Sequence, residues 1–542
     1  MFSKHSKSTK DVSHLQGNSP SDFVDSTCVT WLSAVVEGTI GNVPSSFHPT
    51  SHLVSSLARS LRFASRHMTQ PIPKSVMPEG SIPANVVYQV IKDLRELDSR
   101  PVLNLASFVT TYMEDEARQL MMDALDINFV DTDEYPSCQE ISNRCVSMMA
   151  ALFNSPSVDA MGNGDAVGAP TVGSSEAIML CALSMKKRWQ ERRAKLGLDN
   201  TKPNLVMGNQ THVCWEKFCR YWDVEARYVK CEEGRYCATP ELIAAKCDEN
   251  TIGVVSVFGS TYTGEFEDTE GLDAMVGKLN KKNGWDLVIH VDGASGAMVA
   301  PFLYPNVKFD FRLPNVASIN ISGHKYGLVY PGLGWAIWRD AAALPESMVF
   351  YCDYLGTVER SITLNFSRGA NNIISQYYQF LRLGREGYTK IMTNLNAISK
   401  HVRKAIMDTG HFEILSQNVG VPLVAFRLNK VKGSDGKMHA RLYDEFQLAE
   451  RMRMFGWVLP AYKMPEGAEH VKLMRITIRE DFSMTMADQV IQKLIECVEW
   501  LDTHFTVSKE DLDKIAGKTW GRTYSRMDSK VLVGFEELLR PC

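Results

Sequence analysis

No stretch of this chain approaches the roughly 20 consecutive apolar residues that a membrane-crossing helix needs. The first 25 residues are rich in Ser, Lys, Thr and Asp and carry no apolar core, so no secretory leader is expected. Basic charge is not in excess: 59 Lys and Arg stand against 63 Asp and Glu, a net charge of −4, which argues against a nucleic-acid binder. The 12 cysteines are scattered and none makes a Cys-x-x-Cys pair. The closest spacings, Cys214/Cys219 and Cys231/Cys237, do not suit a zinc ribbon. They read as reduced thiols of a cytoplasmic protein, and neither a metal site nor an internal repeat is expected.

What is present is length with an ordinary composition. The 542 residues, 44% hydrophobic and 23% charged, suffice for a large core plus a second domain. Residues 1–82 read as a disordered N-terminus followed by an arm. Within it, Leu53, Val54, Leu57, Leu61 and Phe63 interleave with Arg59, Arg62 and Arg66 as a basic amphipathic helix, better suited to packing than to organelle targeting.

From residue 83 helices are expected over 86–96, 114–125, 141–153 and 175–195, and later over 212–221 and 268–280. Strands are expected at 204–208, 226–231, 251–258, 287–291, 316–321 and 334–338. Short apolar strands separated by helices indicate an α/β fold whose mostly parallel sheet is buried on both faces. Residues 83–393 would form this large domain. Residues 394–507 change grammar, with strands at 421–428, 457–462 and 472–479 before a last helix, and read as a small C-terminal α+β domain. Residues 508–542 read as a polar tail.

Chemistry concentrates at strand ends. Ser322-Gly323-His324-Lys325 follows the apolar run 316–321. A lysine buried there has its pKa lowered by desolvation, which makes it an amine nucleophile able to form a Schiff base. His290-Val291-Asp292-Gly293 ends another strand. An aspartate at the carboxyl end of a sheet can pair with a protonated pyridine nitrogen, although alone it equally caps a turn. Gly173-Ser174-Ser175 opens a helix, where a capping serine and the exposed N–H groups make an anion site. By itself this is an ordinary cap; beside Asp292 and Lys325 it reads as a phosphate cradle. His212 would stack on a cofactor ring or simply pack. His324 would orient a phosphate or sit as a satisfied core histidine. Arg475, Thr477 and Arg479 alternate on one strand face, and Arg475 could clamp a carboxylate bidentately, against the simpler reading of a surface strand face.

Motifs spread in order from about residue 83 to 505 resemble the group II pyridoxal-phosphate-dependent amino-acid decarboxylases, and within them the glutamate decarboxylases, with the plant-like members most similar. The segments that carry the resemblance include Asn104-Leu-Ala-Ser-Phe108, Asp133-Glu-Tyr-Pro136, Thr171-Val-Gly-Ser-Ser-Glu176, Phe258-Gly-Ser-Thr-Tyr-Thr-Gly264, His290 to Gly296, Ser322 to Leu328, Asn365-Phe-Ser-Arg368 and Leu473-Met-Arg-Ile476.

The resemblance implies a fold-type I enzyme with a seven-stranded sheet, decarboxylating L-glutamate to 4-aminobutanoate through an external aldimine and a quinonoid. It assigns Lys325 to the Schiff base with pyridoxal 5'-phosphate and Asp292 to the ring nitrogen. Ala294 and His212 fall on the two ring faces, and Thr261 on the phenolic oxygen. Ser174, Ser175, Ser322 and His324 are assigned to the phosphate, with Ser367 joining from a neighbouring subunit. Arg475 would meet the α-carboxylate, while Ser107, Phe108, Asn128 and Asp131 match positions around the side-chain carboxylate. Tyr354 falls in a mobile loop, and either Tyr354 or His324 would return the proton to Cα.

His212 stands where the most similar members carry glutamine, and Ser107 where many carry threonine. No histidine follows His504, so the neutral-pH shutdown of bacterial members is not expected. A homodimer or larger homo-oligomer is implied. Plant members carry a C-terminal calmodulin site. Here Lys518, Trp520, Arg522 and Lys530 fit one loosely among helix-weakening glycines, and an ordinary polar tail is the simpler expectation. The rivals are a relative acting on another amino acid and a scaffold that has lost catalysis.

Overall fold

The computed structural model describes residues 68–69, 71–354, 357–432 and 436–504. The amphipathic segment at 53–67 and the tail with its calmodulin reading lie outside the described residues. The chain divides into a unit ending at Asp98 and a unit beginning at Ser99. The first contains the helix Ala84–Arg95, which starts two residues earlier than its apolar spacing suggests.

The second unit is built on a seven-stranded sheet: β1 (Val167–Thr171), β2 (Asn204–Gly208), β3 (Glu225–Val229), β4 (Thr251–Val257), β5 (Ile289–Asp292), β6 (Val316–Ser322) and β7 (Gly334–Trp338). The order is β1-β7-β6-β5-β4-β2-β3. Every pairing from β3 to β6 is parallel, and β7 runs antiparallel to both β6 and β1. Strands β4 to β7 are buried along their whole length, as continuous apolar runs under two helical layers require. β1 escapes the sequence reading because Val167-Gly-Ala-Pro-Thr171 has glycine and proline where β-formers are expected.

The helix Ser174–Lys195 follows β1, and the helix Val213–Tyr221 follows β2. The helix Thr269–Asn283 is capped by Asp268 and closed by Gly284 in the left-handed region (φ 67°). Beyond the sheet, β8 (Phe350–Tyr354) and β9 (Thr357–Ser361) pair as an antiparallel hairpin. Tyr354, expected in a mobile loop, ends strand β8, and its side chain lies outside the described residues.

A long helix, Asn371–Asp408, runs across the boundary expected at 393/394, broken at Gly384 (φ 56°). The C-terminal part pairs β10 (Phe412–Ile414), β11 (Leu423–Leu428), β15 (Lys472–Thr477) and β14 (Ala461–Lys463), in that order, in an antiparallel sheet. A short pair, β12 (Val431–Lys432) and β13 (Met438–His439), lies between them in sequence. The helices Glu445–Arg453 and Met484–His504 complete this part. No helix among the described residues is long and apolar enough to cross a membrane.

Candidate active site

Parallel pairing of β5 with β6 sets Asp292 beside Asn320 and His290 beside Ser318. Their loops leave the carboxyl end of the sheet, where ligands of open α/β folds bind. There a cavity of about 330 Å³ is lined by Asp292, Ala294, Ser322, His324 and Lys325, a size suited to a small-molecule site. Ser174, Ser175, His212, Thr261, Ser107 and Phe108 also line it. Eleven sequence-derived positions from six separate segments therefore meet in one space.

Lys325 extends into this space with its Nζ 3.1 Å from Ser295 Oγ and 5.2 Å from the Phe108 ring centre. Burial pulls its pKa down from 10.5 to about 8; Asp292 opposes that shift and Arg475 adds to it. The Asp292 carboxylate is fixed on both oxygens. Trp215 Nε1 donates to Oδ2 at 2.8 Å, Asn320 Nδ2 to Oδ1 at 3.1 Å and the Ala294 N–H to Oδ1 at 3.3 Å. A carboxylate has about four lone-pair sites, so one, on Oδ2, is left for a further donor.

The three histidines here are held neutral. His212 precedes the helix Val213–Tyr221 and accepts the Cys214 N–H on Nδ1 at 3.3 Å, which leaves its proton on Nε2. Burial first and the Lys325 charge second lower its pKa from 6.5 to about 4. His324 falls to about 4 for the same reasons, and its buried Nδ1 has no hydrogen-bond partner among the described residues. Burial likewise lowers His290 to about 4.

The serine pair corrects one expectation. The cap of the helix Ser174–Lys195 is Gly173, with no side-chain hydrogen bond, and Ser174 and Ser175 are its first two helical residues. The opening of this helix is therefore left to a ligand. A Cβ on Gly173 would meet nothing within 4 Å, whereas one on Gly334 would lie 2.4 Å from the Gly173 carbonyl carbon. Strand β7 thus needs glycine to let the turn sit against it, and the turn's open side is clear.

Not every expected residue arrives. Asn128 and Asp131 do not line this cavity: Asn128 Oδ1 accepts the Arg368 N–H at 3.3 Å, and a buried Asp131 oxygen has no partner among the described residues. Ser367 is exposed and outside it too. Arg475 is 3% exposed rather than on a surface face. Its Nη2 donates to the Ala106 carbonyl at 2.8 Å and Nη1 to the Thr261 carbonyl, while its buried Nε has no partner among the described residues. Phe108 lies over its guanidinium at 5.0 Å, so Arg475 stands behind the cavity wall.

Sequence reasoning missed Trp215, Asn320, His290 and Ser295. A signal existed for two of them: His290 and Asp292 alternate in β5, and Ser318, Asn320 and Ser322 alternate in β6, each a polar stripe inside an otherwise apolar strand.

The cavity fits a flat ligand with an anion at the open helix terminus, a protonated nitrogen at Asp292 and a carbonyl within reach of Lys325. Comparison with known proteins agrees in kind. Residues 78–429 match the pyridoxal-dependent decarboxylase conserved domain. The chain is 48% identical to a glutamate decarboxylase of Petunia hybrida over 441 residues, 81% of this chain and 86% of that one. It is 41% identical to a glutamate decarboxylase of Lactococcus lactis over 85% of this chain and 96% of that one. The solved structure of the Lactobacillus brevis glutamate decarboxylase superposes with a TM-score of 0.77 at 38% identity, covering 82% of this chain and 99% of that one.

Proposed function

The chain belongs to the pyridoxal-dependent decarboxylase family, and we propose that it converts L-glutamate to 4-aminobutanoate and carbon dioxide. The observation that carries the reaction class is the meeting of Lys325, Asp292 and the uncapped turn at Ser174 in one cavity. The relatives at 41% and 48% identity support glutamate as the substrate.

Pyridoxal 5'-phosphate, when bound, supplies the electron sink that takes up the electron pair left as carbon dioxide departs. Lys325 offers a lone pair: with a pKa of about 8, roughly a tenth of its amine is neutral at pH 7. Asp292 keeps a proton on a ring nitrogen through its remaining Oδ2 site, since an adjacent carboxylate favours the charged partner. Ser174, Ser175 and Ser322 present hydroxyls to the phosphate, and His324 presents its unpartnered Nδ1 side. His212, held neutral, would pack over one face of the ring and Ala294 at the other, and Thr261 would hydrogen-bond the phenolic oxygen; all three line the cavity. Arg475 takes the α-carboxylate through its unpartnered Nε–H, which requires Phe108 to shift. Ser107 and Phe108 shape the side-chain end. The proton returned to Cα comes from Tyr354 or His324.

The ligand roles implied for Asn128, Asp131 and Ser367 need another subunit's cavity to lie beside them, and a homodimer or higher homo-oligomer is proposed together with those roles. A large cofactor domain and a small C-terminal domain are proposed because the large-sheet strands end by Trp338 and the antiparallel sheet begins at Phe412, with the helix Asn371–Asp408 running across 393/394 between them. A cytoplasmic place in 4-aminobutanoate synthesis is the matching cellular reading.

The test is carbon dioxide release from glutamate, aspartate and aromatic amino acids, with and without added pyridoxal phosphate. Release from glutamate alone, dependent on the cofactor, is expected. Preference for another amino acid would overturn the substrate, and no release from any would overturn the activity.

A further inference from the structure

Asn320 is fully buried at the middle of β6 and touches both ends of the cofactor site. Its Nδ2 lies 2.7 Å from Ser174 Oγ and 3.1 Å from Asp292 Oδ1. An ionised carboxylate only accepts, so the amide can face Asp292 only with its NH2 group. Its Oδ1 therefore faces His290 Nε2 at 2.9 Å, and that nitrogen must carry the ring proton. His290 Nδ1 is then the acceptor for the Ser318 hydroxyl at 2.8 Å. The Trp215 indole packs edge-on against the imidazole, with ring centres 5.2 Å apart, and donates to the other Asp292 oxygen. One protonation pattern satisfies all six groups.

The consequence falls on Ser174. Its oxygen accepts an amide hydrogen from Asn320, so its own hydroxyl hydrogen must point elsewhere, and Ser174 lines the cavity. We infer that Asn320, oriented by His290, is a positioning residue that couples the two ends of the cofactor site: it turns the Ser174 hydroxyl toward the phosphate while fixing the Asp292 carboxylate for the ring nitrogen. A single rigid amide thereby sets the spacing between the anion seat and the ring-nitrogen seat. An isosteric aspartate at 320 would place oxygens against both acceptors and break the pattern.

The inference rests on the pyridoxal phosphate reading. Its test is binding to the cofactor-free protein, titrated separately with pyridoxal phosphate and with pyridoxal, which lacks the phosphate, and followed by protein fluorescence. Uptake of pyridoxal phosphate by the unaltered protein checks the reading itself; its failure there would sink that reading first. Asn320→Ala is expected to weaken pyridoxal phosphate about 10- to 100-fold, by analogy with the loss of residues that orient metal ligands, and pyridoxal by clearly less. Ser174→Ala should remove the same phosphate preference, and the double variant should lose little more than Asn320→Ala alone, because the Ser174 hydroxyl serves the phosphate only when Asn320 orients it. His290→Gln, which keeps a donor toward Oδ1, should retain the preference that His290→Leu loses. If Asn320→Ala does not fold, as a thermal melt would show, the two His290 variants decide the matter. Equal weakening of both ligands, additive effects of Asn320→Ala and Ser174→Ala, or equal behaviour of the two His290 variants would overturn the assignment.

Discussion

The sheet side of the cavity and the wall that faces it are held by different kinds of contact. On the sheet side, Asp292, Asn320 and His290 bond side chain to side chain across neighbouring strands, and Asn320 reaches Ser174 at the start of the adjoining helix. On the wall, the segment bearing Ser107 and Phe108 is held through its backbone. Arg475 takes the Ala106 carbonyl, and Arg479, 2% exposed, donates to the carbonyls of Asn104 (3.0 Å), Val102 (3.2 Å), Pro101 (3.3 Å) and Val109 (3.4 Å). The Thr477 N–H adds a bond to the Leu105 carbonyl, and the Thr110 N–H one to the His324 carbonyl. Side-chain bonds within a sheet fix individual atoms for chemistry. Guanidinium bonds to successive carbonyls fix a loop as a body, almost regardless of which side chains it carries.

Lys325→Ala strikes the sheet side hardest: turnover and the visible absorbance of the bound cofactor should both vanish. A variant that kept the visible band would remove Lys325 from the mechanism.

On the wall, Arg479→Met is expected to cost about 3–5 kcal/mol, because the largely buried Asp481 carboxylate, 3.5 Å from Arg479 Nε, loses its cation along with the carbonyls, read as a lower melting temperature. Arg475→Met, with only two carbonyls to orphan, should cost about 1–3 kcal/mol and damage glutamate turnover more than stability. If the two arginines exchanged these behaviours, the division between a structural and a substrate-facing guanidinium would fail.

The sheet side also predicts a pH dependence. Burial lowers Lys325 to about 8, and only its neutral form attacks a carbonyl. Capture of pyridoxal phosphate by the cofactor-free protein should therefore quicken about tenfold per pH unit up to about 8 and then level off. A free lysine would keep climbing to about 10.4. A stopped-flow rate still rising at that slope above pH 9 would deny that burial activates Lys325.

The smallest effect belongs to the wall. Ser107 Oγ accepts the Val109 N–H at 3.1 Å, so Ser107→Ala should cost about 0.5–1.5 kcal/mol, seen as a modest rise in KM for glutamate. Ser107→Thr should restore it.

How much could be read in advance follows the same division. Lys325, Asp292 and the Gly173-Ser174-Ser175 turn were legible because each sits where an apolar run ends, and alternation or capping chemistry says which way such residues face. The strands at 204–208 and 334–338 were read with their observed bounds for the same reason. Asn320 and His290 left only a faint polar stripe, whose meaning depends on which strand lies alongside. Arg479 left none, since its partners are carbonyl oxygens that every residue possesses. A capping serine is expected at this turn, yet Gly173 holds the cap position and both serines lie inside the helix.

By itself, then, the sequence determined the parallel sheet, the carboxylate and amine at its carboxyl end and the family to which they belong. Those are properties of local periodicity and residue chemistry. Only the tertiary structure decided that β5 pairs with β6 in the register that sets Asp292 beside Asn320. It alone directed Arg475 and Arg479 to the backbone of residues 101–109 and left Asn128 and Asp131 outside the cavity. Strand register and backbone partners arise from contacts between segments far apart in the chain, where one residue's role is set by whatever folding brings against it.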